Sequence, residues 1–93
     1  MIERDGNTAR IDGALTLETV VTLRNAVNEW FAAGDVEVDL KAVTEVDSSA
    51  LSLLLEWRRA ARQHNARIRY RNLPPNLVSL ATLYGIDGFI AED

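Results

Sequence analysis

Val36-Glu37-Val38-Asp39-Leu40-Lys41-Ala42-Val43-Thr44-Glu45-Val46-Asp47-Ser48-Ser49-Ala50-Leu51 is the stretch around which the rest of the chain organises. Its first five residues alternate apolar and acidic, the period of a strand with one dry and one wet face. Residues 41–46 read as a connecting loop, and Asp47-Ser48-Ser49 opens a helix running to about residue 64. Asp47 is the expected cap, because an Asp side chain accepts from the unpaired amides of a first helical turn. On a 3.6-residue wheel, Ala50, Leu51, Leu53, Leu54, Leu55, Trp57, Ala60 and Ala61 span well over half the circumference. The remaining stripe is narrow and polar: Ser48, Ser52, Glu56, Arg59 and Gln63.

Outward from this unit the pattern is consistent. Residues 8–12 alternate as a strand and Gly13 ends it; Asp5-Gly6 is a hairpin-type dipeptide behind a short first arm at 2–4. Residues 17–31 switch to helical period, with Leu17, Val20, Leu23, Val27, Trp30 and Phe31 on one face, Thr16 as N-cap and Gly34 as stop. Residues 66–71 form a third alternating strand, Asn72-Leu73-Pro74-Pro75 breaks it, and a last helix runs over 76–84, closed by Gly85. One strand face collects Ala9, Ile11, Val36, Val38, Leu40, Ala66, Ile68 and Tyr70; the other collects Thr8, Arg10, Asp12, Glu37, Asp39, Arg67, Arg69 and Arg71. A parallel sheet covered on both sides would show near-continuous apolar strands. The expected fold is therefore α/β: a single domain over residues 1–93, a small mixed sheet with helices packed mainly on one face.

The composition of this 93-residue chain narrows its chemistry. With 47% hydrophobic and 26% charged residues it is an ordinary globular domain. It has no cysteine, which removes disulfides, thiolate metal sites and cysteine nucleophiles, and a single histidine, which makes a Ser-His-Asp triad hard to build. A net charge of −4 argues against a nucleic-acid binder. The longest strictly apolar run is Leu53-Leu54-Leu55, far short of the roughly 20 residues that span a bilayer, so no direct membrane insertion is expected. The N-terminus shows no apolar signal core, and the expected compartment is the cytoplasm.

Individual features have competing readings. Residues 58–71 hold six arginines and no acid; a phosphate surface is one reading, and cross-strand pairing of Arg67, Arg69 and Arg71 with Glu37 and Asp39 is the favoured one. Leu53, Trp57 and Ala60 either pack as core against the first helix or form a partner patch. Asp47-Ser48-Ser49 is explained by capping alone, yet a phosphate on Ser48 would also be welcomed by the first-turn amides. The carboxylate pairs Glu37/Asp39 and Glu45/Asp47 have no pocket around them in the pattern, and the scattered glycines make no phosphate loop. His64 complements a helix C-terminus. No catalytic, metal or cofactor site is expected.

The 36–51 stretch resembles the signature of the sulfate-transporter and anti-sigma-factor-antagonist (STAS) domain family: a strand ending in Asp-Leu, spaced valines, then Asp-Ser/Thr-x-Gly-Leu opening a helix. The resemblance covers residues 8–90, with one departure, Ala50 in place of the family glycine. It implies a non-enzymatic interaction module. In the anti-sigma-antagonist branch a partner kinase phosphorylates the serine after the Asp, here Ser48. In MlaB-like subunits of phospholipid ABC transporters a Ser or Thr there engages the ATPase subunit. Leu77-Val78-Ser79-Leu80-Ala81-Thr82-Leu83-Tyr84-Gly85-Ile86 is similar to the Leu-Ala-x-Leu-Tyr stretch of those subunits, and the chain stops soon after Phe89-Ile90, where antagonists usually continue into another helix. The resemblance therefore implies a regulatory subunit maintaining outer-membrane lipid asymmetry, peripheral to the inner membrane through the ATPase and its permease. Asp47, Ser48, Ser49, Ser52 and Glu56 would form its partner surface. The alternative it leaves open is an anti-sigma factor antagonist switched at Ser48.

Overall fold

A computed structural model describes residues 2–90. Four strands, β1 (Ile2–Asp5), β2 (Thr8–Leu15), β3 (Val36–Val46) and β4 (Ile68–Arg71), form one sheet in the order β1-β2-β3-β4. β1 and β2 are antiparallel, whereas β2 pairs with β3 and β3 with β4 in parallel, so the sheet is mixed. Helix α1 (Leu17–Leu23) and a 3₁₀ helix (Asn28–Ala33) connect β2 to β3, α2 (Ser48–Gln63) connects β3 to β4, and α3 (Pro75–Leu83) and the short α4 (Asp87–Ile90) follow.

The alternation places the core as expected. Ala9, Ile11, Val36, Val38, Leu40 and Tyr70 are buried, while Arg10, Asp12, Arg69 and Arg71 on the opposite face are exposed. Ala66 and Ile68, near the β4 edge, are only half-buried. On the wet face Arg10 meets Asp5 at 3.4 Å and Glu3 at 3.9 Å, and Arg71 meets Glu37 at 3.4 Å. These are cross-strand pairs of the kind that stabilise by a few tenths of a kcal/mol each.

Four local readings change, the first being that β2 does not end at Gly13 but runs on to Leu15. Residues 41–46 are strand, not loop: β3 runs on beside β2, but the register slips between Arg10 and Asp12 and again between Gly13 and Ala14. Each slip inserts an extra β3 residue, so the period-two pattern fails where the ladder continues. The hairpin turn is Gly6-Asn7 rather than Asp5-Gly6, since Asp5 pairs with Thr8; Gly6, at φ 62°, supplies the positive first turn angle that a two-residue hairpin favours. The segment 17–31 is not one helix. The Trp57 indole N–H donates to the Arg24 carbonyl at 3.0 Å, taking an acceptor that a continuous helix would offer to Asn28. The chain turns there and resumes as the 3₁₀ helix, which still buries Phe31.

Trp57 and Leu53 are fully buried, so they belong to the core between α2 and the α1 region, with Ala60 packed half-buried beside them. The Tyr70 hydroxyl donates to the Leu54 carbonyl at 2.6 Å, fastening β4 to α2. Burial pushes the Tyr70 phenol far above its ordinary 10.0.

Candidate functional site

The strand-to-helix junction at residues 46–48 is built around Asp47. Its backbone is extended, φ −134°, as an N-cap requires. Oδ1 accepts from the Ser49 N–H at 2.8 Å, capping α2. Oδ2 accepts from the Leu17 N–H at 3.1 Å, the first residue of α1, and the Asp47 N–H donates to the Leu15 carbonyl at 3.2 Å. One carboxylate therefore holds the N-termini of two helices together, thirty residues apart in sequence. Thr16 occupies the α1 cap position, and Thr19 Oγ1 accepts from its N–H at 3.0 Å while donating to the Ala14 carbonyl at 2.7 Å.

With the junction fixed, the following turns of α2 point outward in a defined way. Ser48 and Ser52 are exposed and Ser49 is half-buried. All three line an open groove of about 350 Å³ whose other walls are Leu51, Leu55, Tyr84 and Ile86. Ala50 is fully buried in helical backbone, and the tight first turn forms without a glycine. Glu56 stands apart from the groove and meets Arg24 Nε at 3.5 Å, so it ties α2 to the end of α1.

The surroundings of Ser48 hold residues that sequence reading placed elsewhere. Leu17, assigned to the buried face of the first helix, is 66% exposed, and Val21 one turn on is 63% exposed. Tyr84, in the groove wall, is 58% exposed, and its chain neighbour Leu83 is 76% exposed. The signal was legible in part. Leu17 and Val21 are four apart and form a second stripe beside Val20 and Leu23, and Leu83 falls off the face set by Leu77 and Ala81. Hydroxyls and exposed apolar side chains thus occur together near the start of α2, in and beside an open groove.

Among the described residues no group of three or more His, Asp or Glu side chains is close enough to hold a metal ion, and no helix is long and apolar enough to cross a membrane. His64, the C-cap residue of α2, sets Nδ1 2.9 Å from the Ala60 carbonyl and lies against Phe31.

Comparison with known proteins bears on this geometry. A family model described as "Mlab, STAS domain" matches residues 2–91. No curated protein matches the sequence significantly. Among solved structures, the fold is similar to that of the anti-sigma factor antagonist SpoIIAA in its unphosphorylated form, with a TM-score of 0.75 and 17% identity over 100% of this chain and 86% of that one. It is similar also to the Bacillus cell fate determinant SpoIIAA in its phosphorylated form, with a TM-score of 0.68 and 18% identity over 100% and 89% of the two chains. A crystal structure of Mglu shares the fold at a TM-score of 0.63 and 18% identity, over 83% of this chain but 20% of that one.

Proposed function

The chain belongs to the MlaB-type STAS-domain family, and from that premise we propose that it is a non-catalytic regulatory subunit of a bacterial phospholipid ABC transporter. It binds the ATPase subunit through the start of α2 and sits with the permease at the cytoplasmic side of the inner membrane. The observation that carries this reading is the composite surface around Ser48. Tyr84, 58% exposed, is a wall of the groove that Ser48 and Ser52 line, and Leu17, 66% exposed, begins the helix whose first amide Asp47 holds. Apolar anchors around a small polar centre are the arrangement in which interface hot spots form. Asp47 sets the surface by joining the two helix starts, and Ser48 supplies a hydrogen bond to the partner. Glu56 acts at the margin, through its pair with Arg24.

A second reading is favoured by one observation. SpoIIAA, solved with and without phosphate, has this fold, and Ser48 is exposed at a helix start. In that reading the chain is an anti-sigma factor antagonist, and phosphate on Ser48 places roughly −1.5 to −2 charge beside Asp47, repelling the partner. Affinity purification of the tagged protein from its native cells, with mass spectrometry of what co-purifies, separates the two. Recovery of an ABC ATPase with its permease supports the transporter reading. A kinase-like anti-sigma factor without transporter components overturns it in favour of the switch.

A further inference from the structure

The far end of α2 carries a second feature that the Ser48 surface does not use. Six of the chain's ten cationic residues fall within residues 58–71, in a protein of net charge −4. Arg71 is matched to Glu37 across the sheet. Arg58, Arg62 and Arg67 have a different arrangement: they line one hollow of about 270 Å³, floored by Ala61, Ala66 and Ile68. Arg58 and Arg62 are one turn apart on α2, and Arg67 arrives after the turn in which Asn65 takes a φ of 53°. No acidic side chain lines the hollow, and among the described residues none is ion-paired to these three guanidinium groups. Asp35 accepts from the Arg67 backbone N–H at 2.9 Å and is not part of the lining.

Complementing the helix dipole does not explain the cluster. That effect is confined to the last turn, which reaches Arg62 but neither Arg58 nor Arg67. Like charges one helical turn apart repel, so the grouping costs stability unless an anion offsets it. Arg58 is also held in place: its guanidinium lies 5.8 Å from the Phe89 ring centroid and donates to the Phe89 carbonyl at 3.1 Å, leaving its other N–H groups available. Two of the three floor residues are alanines, the hollow has the volume for a tetrahedral group, and planar guanidinium donors suit phosphate oxygens.

We propose that the hollow between the C-terminal half of α2 and the start of β4 binds a phosphate group, through Arg58, Arg62 and Arg67. The site is ten to fourteen residues along α2 from Ser48, roughly 15–21 Å at helical rise, so it stands or falls separately from the partner surface. The phosphate is either a free one or a lipid headgroup, and the test distinguishes them. The folded full chain would be titrated with sodium pyrophosphate at physiological ionic strength, followed by backbone amide shifts, and in parallel sedimented with phosphatidylglycerol-containing vesicles. Arg62→Gln and Arg67→Gln remove lining cations. Arg59→Gln removes the same charge from a residue on another side of α2, and circular dichroism confirms that each variant is folded. Saturable shifts at residues 58–68, weakened about tenfold or more by either lining variant and unchanged in Arg59→Gln, support a free phosphate ligand. Vesicle binding with the same variant pattern, without a pyrophosphate response, supports a headgroup. No response to either probe overturns the proposal, as does equal weakening by Arg59→Gln, which marks diffuse attraction.

Discussion

Replacing Asp47 with alanine should destabilise the fold by an amount that can be worked from its two contacts. Loss of the Oδ1 cap on Ser49, at 2.8 Å, removes an N-cap worth about 1 kcal/mol. Loss of the Oδ2 bond to the Leu17 N–H, at 3.1 Å, frees a donor at the start of a seven-residue helix that is too short to hold itself. That site is open to water, so the second loss is set at about 1 kcal/mol rather than the larger figure for a buried charged bond. The sum is about 2 kcal/mol, or roughly 8–16 °C in Tm for a domain of this size. Asp47→Asn keeps one carbonyl oxygen for Ser49 but turns an amide group toward the Leu17 N–H, so it should cost about half as much. Urea unfolding would give the two values, and amide hydrogen exchange would locate them. Exchange should quicken at Leu17 and Ser49 in Asp47→Ala, and at Leu17 alone in Asp47→Asn. Equal destabilisation by the two variants, or a loss below about 0.5 kcal/mol for alanine, would refute the idea that one carboxylate serves both helices.

The other expectations concern separate links. Ser48→Ala, at an exposed position, should leave stability within about 0.5 kcal/mol and weaken ATPase binding by about tenfold or more in a calorimetric titration; unchanged affinity removes Ser48 from the interface. Glu56→Gln breaks only a surface pair with Arg24 and should shift stability by less than about 0.5 kcal/mol, so any larger loss of partner affinity would place Glu56 in direct contact. Trp57→Phe loses the bond to the Arg24 carbonyl and some buried volume, costing about 2 kcal/mol by urea unfolding. The Tyr70 phenol is raised chiefly by burial, so above pH 10.0 the unfolded chain releases a proton that the folded chain keeps, and stability falls as pH rises. In a Tyr84→Phe background, phenolate absorbance should therefore appear together with unfolding; phenolate in the folded protein would contradict the buried contact with Leu54. Asp39 is held below 3.8, first by the Asn72 side chain and then by the Lys41 backbone N–H, so its contribution is lost as pH falls through its folded value. Asn72→Gly, which keeps the positive φ of 57°, should bring the Asp39 titration back up in carbonyl NMR.

Much of this protein could be read before folding was considered. Period two in residues 8–12 and 36–40 fixed which side chains face the helices, because a strand turns successive residues to opposite faces. The run from Asp47 to Gln63 specified a capped helix with a wide apolar face, and the motif at 36–51 pointed to the family. These properties are local: they depend on backbone geometry and on neighbours within a few residues. What the tertiary structure alone decided is non-local. The β3 extension through residues 41–46 exists because β2 lies beside it with two register slips, which no single-strand pattern records. Just past the break after Leu23, the Arg24 carbonyl accepts from an indole thirty-three residues away, a contact that no local pattern records. Leu17, counted on the buried face for its spacing to Val20, is exposed on a stripe with Val21, and its amide is held by Asp47 from the start of α2. The same bond joins the starts of α1 and α2, so packing between segments thirty residues apart, and not the local pattern, decides what lies beside Ser48.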